Sequence, residues 1–398
     1  FFMTDNKAFV TYGEGAFLNA KKALLSCDLT RLKGKSVLIK PNIGRIASPG
    51  KGINTHPDAI AGVIEALQES GCSKIAIGES PILGVDTLVA FKKAGVEDVA
   101  KKYKVELIDM DRRSFVVKAI PNARILDSTK ICDTIYEFDY ILSLPVAKSH
   151  MHTGVTLGIK NMKGCLYRRE KVRYHQLEYK EGAIYPDLTL DTAISDLATV
   201  LLPDLTVIDG FIGMEGFGPS GGDAVQGNFA VASNNPMAAD VAGCLMMGFE
   251  PKDVGHLRII SERLGMSIEP KDYDISPAGY EKHSVKFRPP PKDIAIEYPD
   301  VVLYDKESCS ACLSTVMFFL KRFKTDMRQY LLEDNKFHLA IGKGVTEEDI
   351  PVGTVCIGNC ARSASAKGIF AQGCPPVPTQ IYKAITGVEP DENEPEIN

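Results

Sequence analysis

A chain of 398 residues with 44% apolar side chains and a formal net charge of −5 can bury two or three cores, and it has no long basic run that would make nucleic acid its main partner. No stretch approaches the roughly 20 continuous apolar residues of a membrane span, and the opening residues do not read as a charged-then-apolar secretory leader. Cys27, Cys72, Cys132, Cys165 and Cys244 are scattered without a disulfide framework, so a reducing cytoplasm is expected, where clustered thiols bind metal or do redox work more often than they form disulfides.

From about residue 36 to 285 short apolar strands alternate with amphipathic helices. SVLIK (36–40) and KIAIGES (74–80) have the length and apolar density of buried parallel strands. Between them, THPDAIAGVIEALQESG sets Ile60, Val63, Ile64 and Leu67 on one helical face, with Thr55 or Asp58 as cap, Pro57 at the start and Gly71 at the stop. Strand, helix, strand in that order implies a right-handed crossover. VELIDM (105–110), DYILSLP (139–145), LTVIDG (205–210) and NFAVAS (228–233) continue the strand series. Helices are expected over 86–103, 188–201, 236–248 and 255–264. The expected fold is α/β, a largely parallel sheet with helices on both faces.

The segment SLPVAKSHMHTGVTLGIKNMKG (143–164) leaves the DYILSLP strand and presents Lys148, Ser149, His150 and His152, then Lys160, Asn161 and Lys163 among Gly154, Gly158 and Gly164. Polar side chains interleaved with glycines at a strand exit have the composition of a ligand-contacting loop. Two histidines at i and i+2 share a face in an extended loop and can serve as acid and base or as metal ligands. The lysines can bind a phosphate or carboxylate, or act as bases when desolvated. Lys148, His150, His152 and Lys160 are the expected catalytic groups; the plainer alternative is a solvated basic loop with one structural histidine. Lys40, Asn42 and Glu79 leave neighbouring strands, and with Asn161 and Lys163 they are expected to bind a small anionic substrate. For Lys40 and Glu79 the alternative is an ion pair that merely closes the sheet end. Asp209-Gly210, with Glu215 nearby, is a further strand exit. HPD (56–58) at a helix start reads as capping. GFGPSGGDAVQGN (216–228) is rich in glycine but does not lead from strand to helix, so nucleotide binding is unsupported.

KFRPPPKDIAIEYPD (286–300) contains three consecutive prolines, which favour an extended spacer. The expected organisation is an α/β domain with the cleft over 1–285, a Pro-rich linker over 286–300, a smaller C-terminal α/β cysteine-rich metal-binding domain over 301–390, and a mobile acidic tail over 391–398. In the smaller domain, strands are expected in VVLYDKESC, FHLAIGKG and TVCIGN, and helices in ACLSTVMFFLKRFKTD and VPTQIYKAITG. Its cysteines are Cys309 and Cys312 in ESCSAC, Cys356 and Cys360 in VCIGNC, and Cys374 in QGCPP. A Cys-x-x-Cys pair plus distant single cysteines is iron–sulfur spacing, with a four-iron four-sulfur cluster as the expected cofactor. Zinc is the competing metal and a disulfide pair the duller alternative. Cys309 and Cys360 each follow a predicted strand, and Cys312 opens a helix. Cys356 falls inside a strand and reads as a small core residue. Cys309, Cys312, Cys360 and Cys374 are the expected ligands, with Gly358 and Gly373 allowing close backbone approach.

VLIKPNIG, THPDAIAGVIEAL, IAIGESP, DYILSLPVAKSHMHTGVTLGIKNMKG and the stretch from VIDG to NNPMAADVAGCLMMG resemble domain-of-unknown-function family 362 over most of residues 36–265. The resemblance implies an iron–sulfur segment, because members are often joined to one, and GNC followed by GIF-x-x-GCPP is similar to such a C-terminal module. GCPP also resembles, over a few residues, the cluster-bearing small subunits of complex I and related hydrogenases. The compact cysteine run of a bacterial ferredoxin is absent. A second resemblance, to the nickel-dependent lactate racemase group, rests on His150 or His152, Gly154, Gly158 and Lys160, and implies cofactor attachment at Lys160. Here Gly158-Ile159-Lys160 stands where that group has a double glycine before the lysine. The expected function is a redox enzyme that joins an iron–sulfur cluster to a site for a small anionic substrate. The alternatives are a non-redox isomerase or dehydratase with a structural or Lewis-acid cluster, and an electron carrier or assembly factor serving a redox partner protein.

Overall fold

The first 35 residues hold two elements that the alternating pattern does not reveal, strand β1 (Lys7–Tyr12) and helix α1 (Gly15–Leu25). The computed structural model describes residues 5–178, 184–291 and 294–390; the acidic tail expected over 391–398 lies outside the described residues. The chain divides into two compact units, one of Phe1–Glu215 with Asp223–Arg288, the other of Gly216–Gly222 with Pro289–Asn398.

After α1, the larger unit runs β2 (Ser36–Pro41), α2 (Pro57–Glu69), β3 (Lys74–Glu79), α3 (Thr87–Lys93), α4 (Val96–Tyr103) and β4 (Glu106–Asp109). It continues through β5 (Phe115–Ala119), β6 (Ser128–Cys132), β7 (Tyr140–Leu144), β8 (Val146–His150), β9 (Gly154–Thr156), α5 (Gly158–Asn161), α6 (Glu170–His175) and α7 (Thr189–Ala198). The long strands β10 (Leu205–Glu215) and β11 (Asp223–Ser233) follow, then α8 (Pro236–Met246), α9 (Gly255–Leu264) and β12 (Asp274–Ser276).

One mixed sheet has the order β12-β1-β11-β10-β7-β2-β3-β4, with β8 beside β10 and β9 beside β8. Strands β10, β7, β2, β3 and β4 are mutually parallel, while β1 and β10 both run antiparallel to β11. Alternation across the pleat explains why the strands read as continuous apolar runs. Val37 and Ile39 enter one core with Ile75, Ile77 and Leu142, and Leu38 enters the other with Ala76, Ile108 and Ile141. Residues of α1 to α4 complete the first core and those of α7 to α9 the second, so both faces are covered.

Three sequence expectations are corrected. The helix expected over 86–103 is two helices, because Gly95 adopts a left-handed φ of +74° and breaks the backbone ladder between them. The strands expected at 205–210 and 228–233 extend to eleven residues each, as an antiparallel hairpin that draws in part of the glycine-rich segment. The expected polar loop after β7 is a buried strand and hairpin, since β8 pairs with β10 at Asp209 and Met214, on either side of a register shift between them.

The smaller unit contains β13 (Val301–Asp305), α10 (Ser310–Phe323), β14 (Phe337–Ile341), β15 (Val355–Ile357), β16 (Ile369–Ala371) and α11 (Pro378–Thr386). Its four strands pair in sequence order, and every pair is parallel. Phe319 and Phe323 of α10 are buried, with Phe319 against Phe337 and Phe323 against Tyr382 of α11. All four strands therefore end on the same edge, which is where the loops of an open parallel sheet present ligand groups.

Candidate functional site

In the larger unit, the carboxyl ends of β2 and β3 carry Lys40 and Glu79, fully removed from water and joined at 2.8 Å. Both carboxylate oxygens have further donors: the Ser80 N–H reaches Oε1 at 2.9 Å and the Ile43 N–H reaches Oε2 at 2.7 Å. Asn161 of α5 extends the network, donating through Nδ2 to the Lys40 carbonyl at 2.9 Å and to Ser143 Oγ at 3.1 Å. Its Oδ1 accepts from Asn42 Nδ2 at 3.3 Å, and Asn42 Oδ1 accepts from Lys148 Nζ at 2.7 Å. One chain of hydrogen bonds thus joins Lys40, Glu79, Asn161, Asn42 and Lys148. Gly164 permits the packing, since a Cβ there would collide with the Lys40 ammonium and lie 2.8 Å from Glu79 Oε1.

The GIKN turn is held from below. Asp240 of α8 accepts from the Gly158 N–H at 2.7 Å and the Ile159 N–H at 3.1 Å, capping α5. Burial pushes the Asp240 carboxyl up to about 7 despite those bonds. Lys160, on the same turn, donates to Thr156 Oγ1 at 2.9 Å, and Lys163 Nζ lies 3.0 Å from His175 Nε2 on α6. His150 ends β8 with Nδ1 accepting from the His152 and Thr153 N–H groups at 3.1 and 3.3 Å. That nitrogen is committed to the hairpin turn, so His150 meets other groups through Nε2. The His150 and His152 rings stand 5.9 Å apart.

Burial dominates the electrostatics. It pushes Lys148 down to about 7, assisted by Arg45, and Lys163 down to about 7, assisted by Lys171. Lys160, His150 and His175 are driven well below their ordinary values by the same desolvation, with Lys160 and Lys163 repelling both histidines. Lys171 is also lowered by burial, beside Ser80 and 3.7 Å from Asp111. Among the described residues of this network, Lys40, Lys148, Lys160, Lys163 and Lys171 stand against four carboxyl groups, Glu79, Asp111, Asp191 and Asp240. Amines that burial lowers in this way regain their protons most readily beside an anion, so the arrangement suits one.

Other polar residues at the strand ends have structural tasks. Asp209 accepts from the His56 and Phe211 N–H groups at 2.8 and 3.0 Å. His56 is the N-cap of α2 and accepts from the Asp58 N–H at 3.2 Å. Glu215 accepts from the Arg288 N–H at 2.8 Å. Sequence reasoning missed Lys171, His175, Asp191, Asp240 and His256. His175 and Lys171 lie on a short helix with no local motif, and Asp191 bonds His256 Nδ1 at 3.1 Å across 65 residues of chain.

In the smaller unit, Cys309 follows β13 at the N-cap of α10 and Cys312 sits in the first turn. Cys360 lies in the loop after β15 and Cys374 in the loop after β16. The last two loops are stitched together: the Gly358 N–H donates to Ala371 O at 2.9 Å and the Asn359 N–H to Gly373 O at 2.8 Å. The Cys312 thiol donates to Cys309 sulfur, and with the Cys312 and Ala311 N–H groups it holds Cys309 below the usual thiol range. Cys312 is raised by that bond and by burial, then by the charges of Cys309, Cys360 and Cys374. Cys360 is raised by burial and by Cys374 and Cys309. Cys312 therefore lies within the fields of the other three thiols, and Cys360 within those of Cys309 and Cys374. Gly358, at φ +89°, faces Cys312, whose sulfur would be 3.2 Å from an added Cβ. Gly342, at φ +101°, lets the Lys306–Ser308 segment cross the end of β14; a Cβ there would be 2.8 Å from Ser308 N. Cys356 instead points into the apolar core with Ala340, Val345 and Ala364, and burial raises it to about 11. Among the described residues no three His, Cys, Asp or Glu side chains are arranged to hold a single metal ion, and no helix is long and apolar enough to cross a membrane.

A thylakoid-associated protein of Synechocystis sp. is 26% identical over 234 residues, covering 59% of this chain and 69% of its own. Two solved structures share a partial likeness. The lactate racemase apoprotein of Thermoanaerobacterium thermosaccharolyticum aligns at 14% identity and TM-score 0.40, over 63% of this chain and 60% of that one. A Thermotoga maritima protein aligns at 12% identity and TM-score 0.36, over 58% and 59%. The chain thus spans about three fifths of each solved structure. The model of a domain of unknown function, family 362, matches residues 37–245, more than half the chain, and takes in Lys40, Glu79 and the whole GIKNMKG turn; this protein belongs to that family.

Proposed function

We propose that this protein is a cytoplasmic redox enzyme that binds a small anionic substrate at the buried lysine network and carries a four-iron four-sulfur cluster on Cys309, Cys312, Cys360 and Cys374. The cluster of buried, desolvated lysines carries the reading. Burying an ammonium group away from water is costly, and a bound carboxylate or phosphate offsets that cost. Lys148 and Lys160 would bind the anion, His150 and His152 would move its protons, and Lys163, Asn42 and Asn161 would orient it. The Lys40–Glu79 pair frames the pocket.

The cluster reading is supported by four thiols from three loops on one sheet edge and by the Gly358 clearance at Cys312. A four-iron cluster is larger than a single zinc ion and accepts thiolates that stand farther apart. When bound, such a cluster supplies or accepts single electrons, and the exposed Cys360 is the ligand nearest to solvent for a redox partner protein. A proton-transfer isomerase or dehydratase is the second reading, favoured by the neutral, turn-anchored His150.

Anaerobic purification of the full chain is expected to give brown protein with about four iron and four sulfide per chain, and C360A or C374A should lose most of that iron. Colourless protein holding zinc removes the redox reading. In calorimetry, K148M and K160M should each weaken oxalate or phosphate binding at least about tenfold, as expected when a charge-assisted contact is lost; unchanged affinity removes the anion site.

A further inference from the structure

Asp191 of α7 and His256 in the first turn of α9 form a buried pair that the functions above leave unused. One carboxylate oxygen of Asp191 receives the His256 backbone N–H at 2.8 Å and lies 3.1 Å from Nδ1 of the ring. Gly255 brings the helix this close, because a Cβ there would stand 2.9 Å from the Asp191 carboxyl carbon. Both side chains are essentially inaccessible, at 0% for His256 and 2% for Asp191. With Nδ1–H turned to the carboxylate, the lone pair of the neutral ring sits on Nε2. That nitrogen is buried and, among the described residues, has no hydrogen-bond partner.

An unmet buried polar atom costs about 1–3 kcal/mol, and in a native protein it marks a place that water or a ligand fills. The surroundings identify which. Lys160 acts electrostatically on His256, and Asp191 acts on both Lys160 and Lys163. Val254, two residues before His256, lies 3.9 Å from where a Gly154 Cβ would be, against the turn that follows His152 and Thr153. The pair therefore borders the lysine network.

We propose that Asp191 and His256 are the proton-accepting dyad of that network, acting on a small oxyacid that still carries one ionisable O–H. The ligand O–H bond breaks and its electron pair remains on oxygen. The proton bonds to His256 Nε2. Asp191 balances the resulting imidazolium, and the ammonium groups of Lys160 and Lys163 balance the new oxyanion. His256 would touch the ligand and Asp191 would position it. The inference rests on the anion-site reading and adds the group that receives the proton.

The test uses full-length protein with histidine labelled by nitrogen-15 and inorganic phosphate as probe, with oxalate in parallel. Calorimetry reports binding, and the nitrogen spectrum reports which of the seven histidines changes protonation. Phosphate saturation at neutral pH is expected to convert His256 Nε2 from unprotonated to protonated. H256Q removes that signal, while D191N leaves it unprotonated even with phosphate bound. Binding that leaves Nε2 unmoved in the wild-type protein overturns the dyad and keeps the anion site, and this arm needs no variant to fold. Failure of both probes to bind removes the anion site, and the dyad with it.

Discussion

Glu79→Ala is expected to destabilise the larger unit by about 3–5 kcal/mol, the range for breaking a buried ion pair by removing one partner. Lys40 is 0% exposed, so its ammonium cannot turn to water when the carboxylate goes. The same change takes the acceptor from the Ile43 and Ser80 N–H groups. Removing both charges should cost less, because replacing a buried pair by apolar residues of similar volume is often neutral. The double variant K40M/E79L is therefore expected to be more stable than E79A. Urea unfolding followed by far-ultraviolet circular dichroism measures both. A loss below about 1 kcal/mol for E79A, the value of an exposed pair, would show that Lys40 finds another partner.

Anion-depleted protein is expected to gain stability as pH rises from about 7 toward 10. Lys148 stands near 7 in the folded chain and at its usual 10.5 when unfolded. Between those values the unfolded state binds the extra proton, so raising pH favours folding. Below pH 7 both states carry the proton and the penalty for burying the ammonium is complete; above 10.5 it has gone. One such lysine gives a slope of up to about 1.4 kcal/mol per pH unit. Lys163 works in the same direction, and because it is half-buried solvent screens part of its effect. Urea midpoints at pH 7, 8 and 9 should rise in wild-type protein and rise less in K148M. Saturating oxalate should flatten the wild-type slope if the proposed site holds it, since a bound anion stabilises the charged lysine. Equal slopes for wild type and K148M would refute the assignment.

What could be read from the linear chain follows from how each feature is encoded. β2, β3 and β7 were legible because both faces of the parallel sheet are covered, which forces uninterrupted apolar runs. The GIKNMKG turn was legible because close backbone approach demands glycine at 158 and 164 and leaves lysine and asparagine between them. β1 and α1 precede the first clear repeat, and β1 is short, partly exposed and paired with a strand more than 200 residues away. The hairpin at 146–156 was hidden because polar residues occupy a strand, and only pairing with β10 makes that tolerable. The four thiols stood out by element type, whereas the Asp191–His256 pair depends on two helices meeting and leaves no local spacing to read.

Ordered side by side, the strands of the small sheet set the span that the thiols of the proposed cluster must bridge. β15 and β16 are neighbours, about 4.8 Å apart, but β13 lies beyond β14, whose own exit contributes no thiol. The stretch carrying Cys309 must pass over that silent strand, and it does so where Gly342 offers no side chain. A methyl group at position 342 would raise the crossing and draw the first two sulfurs away from the other two. Assembly of the proposed cluster would then fail at a residue that binds nothing.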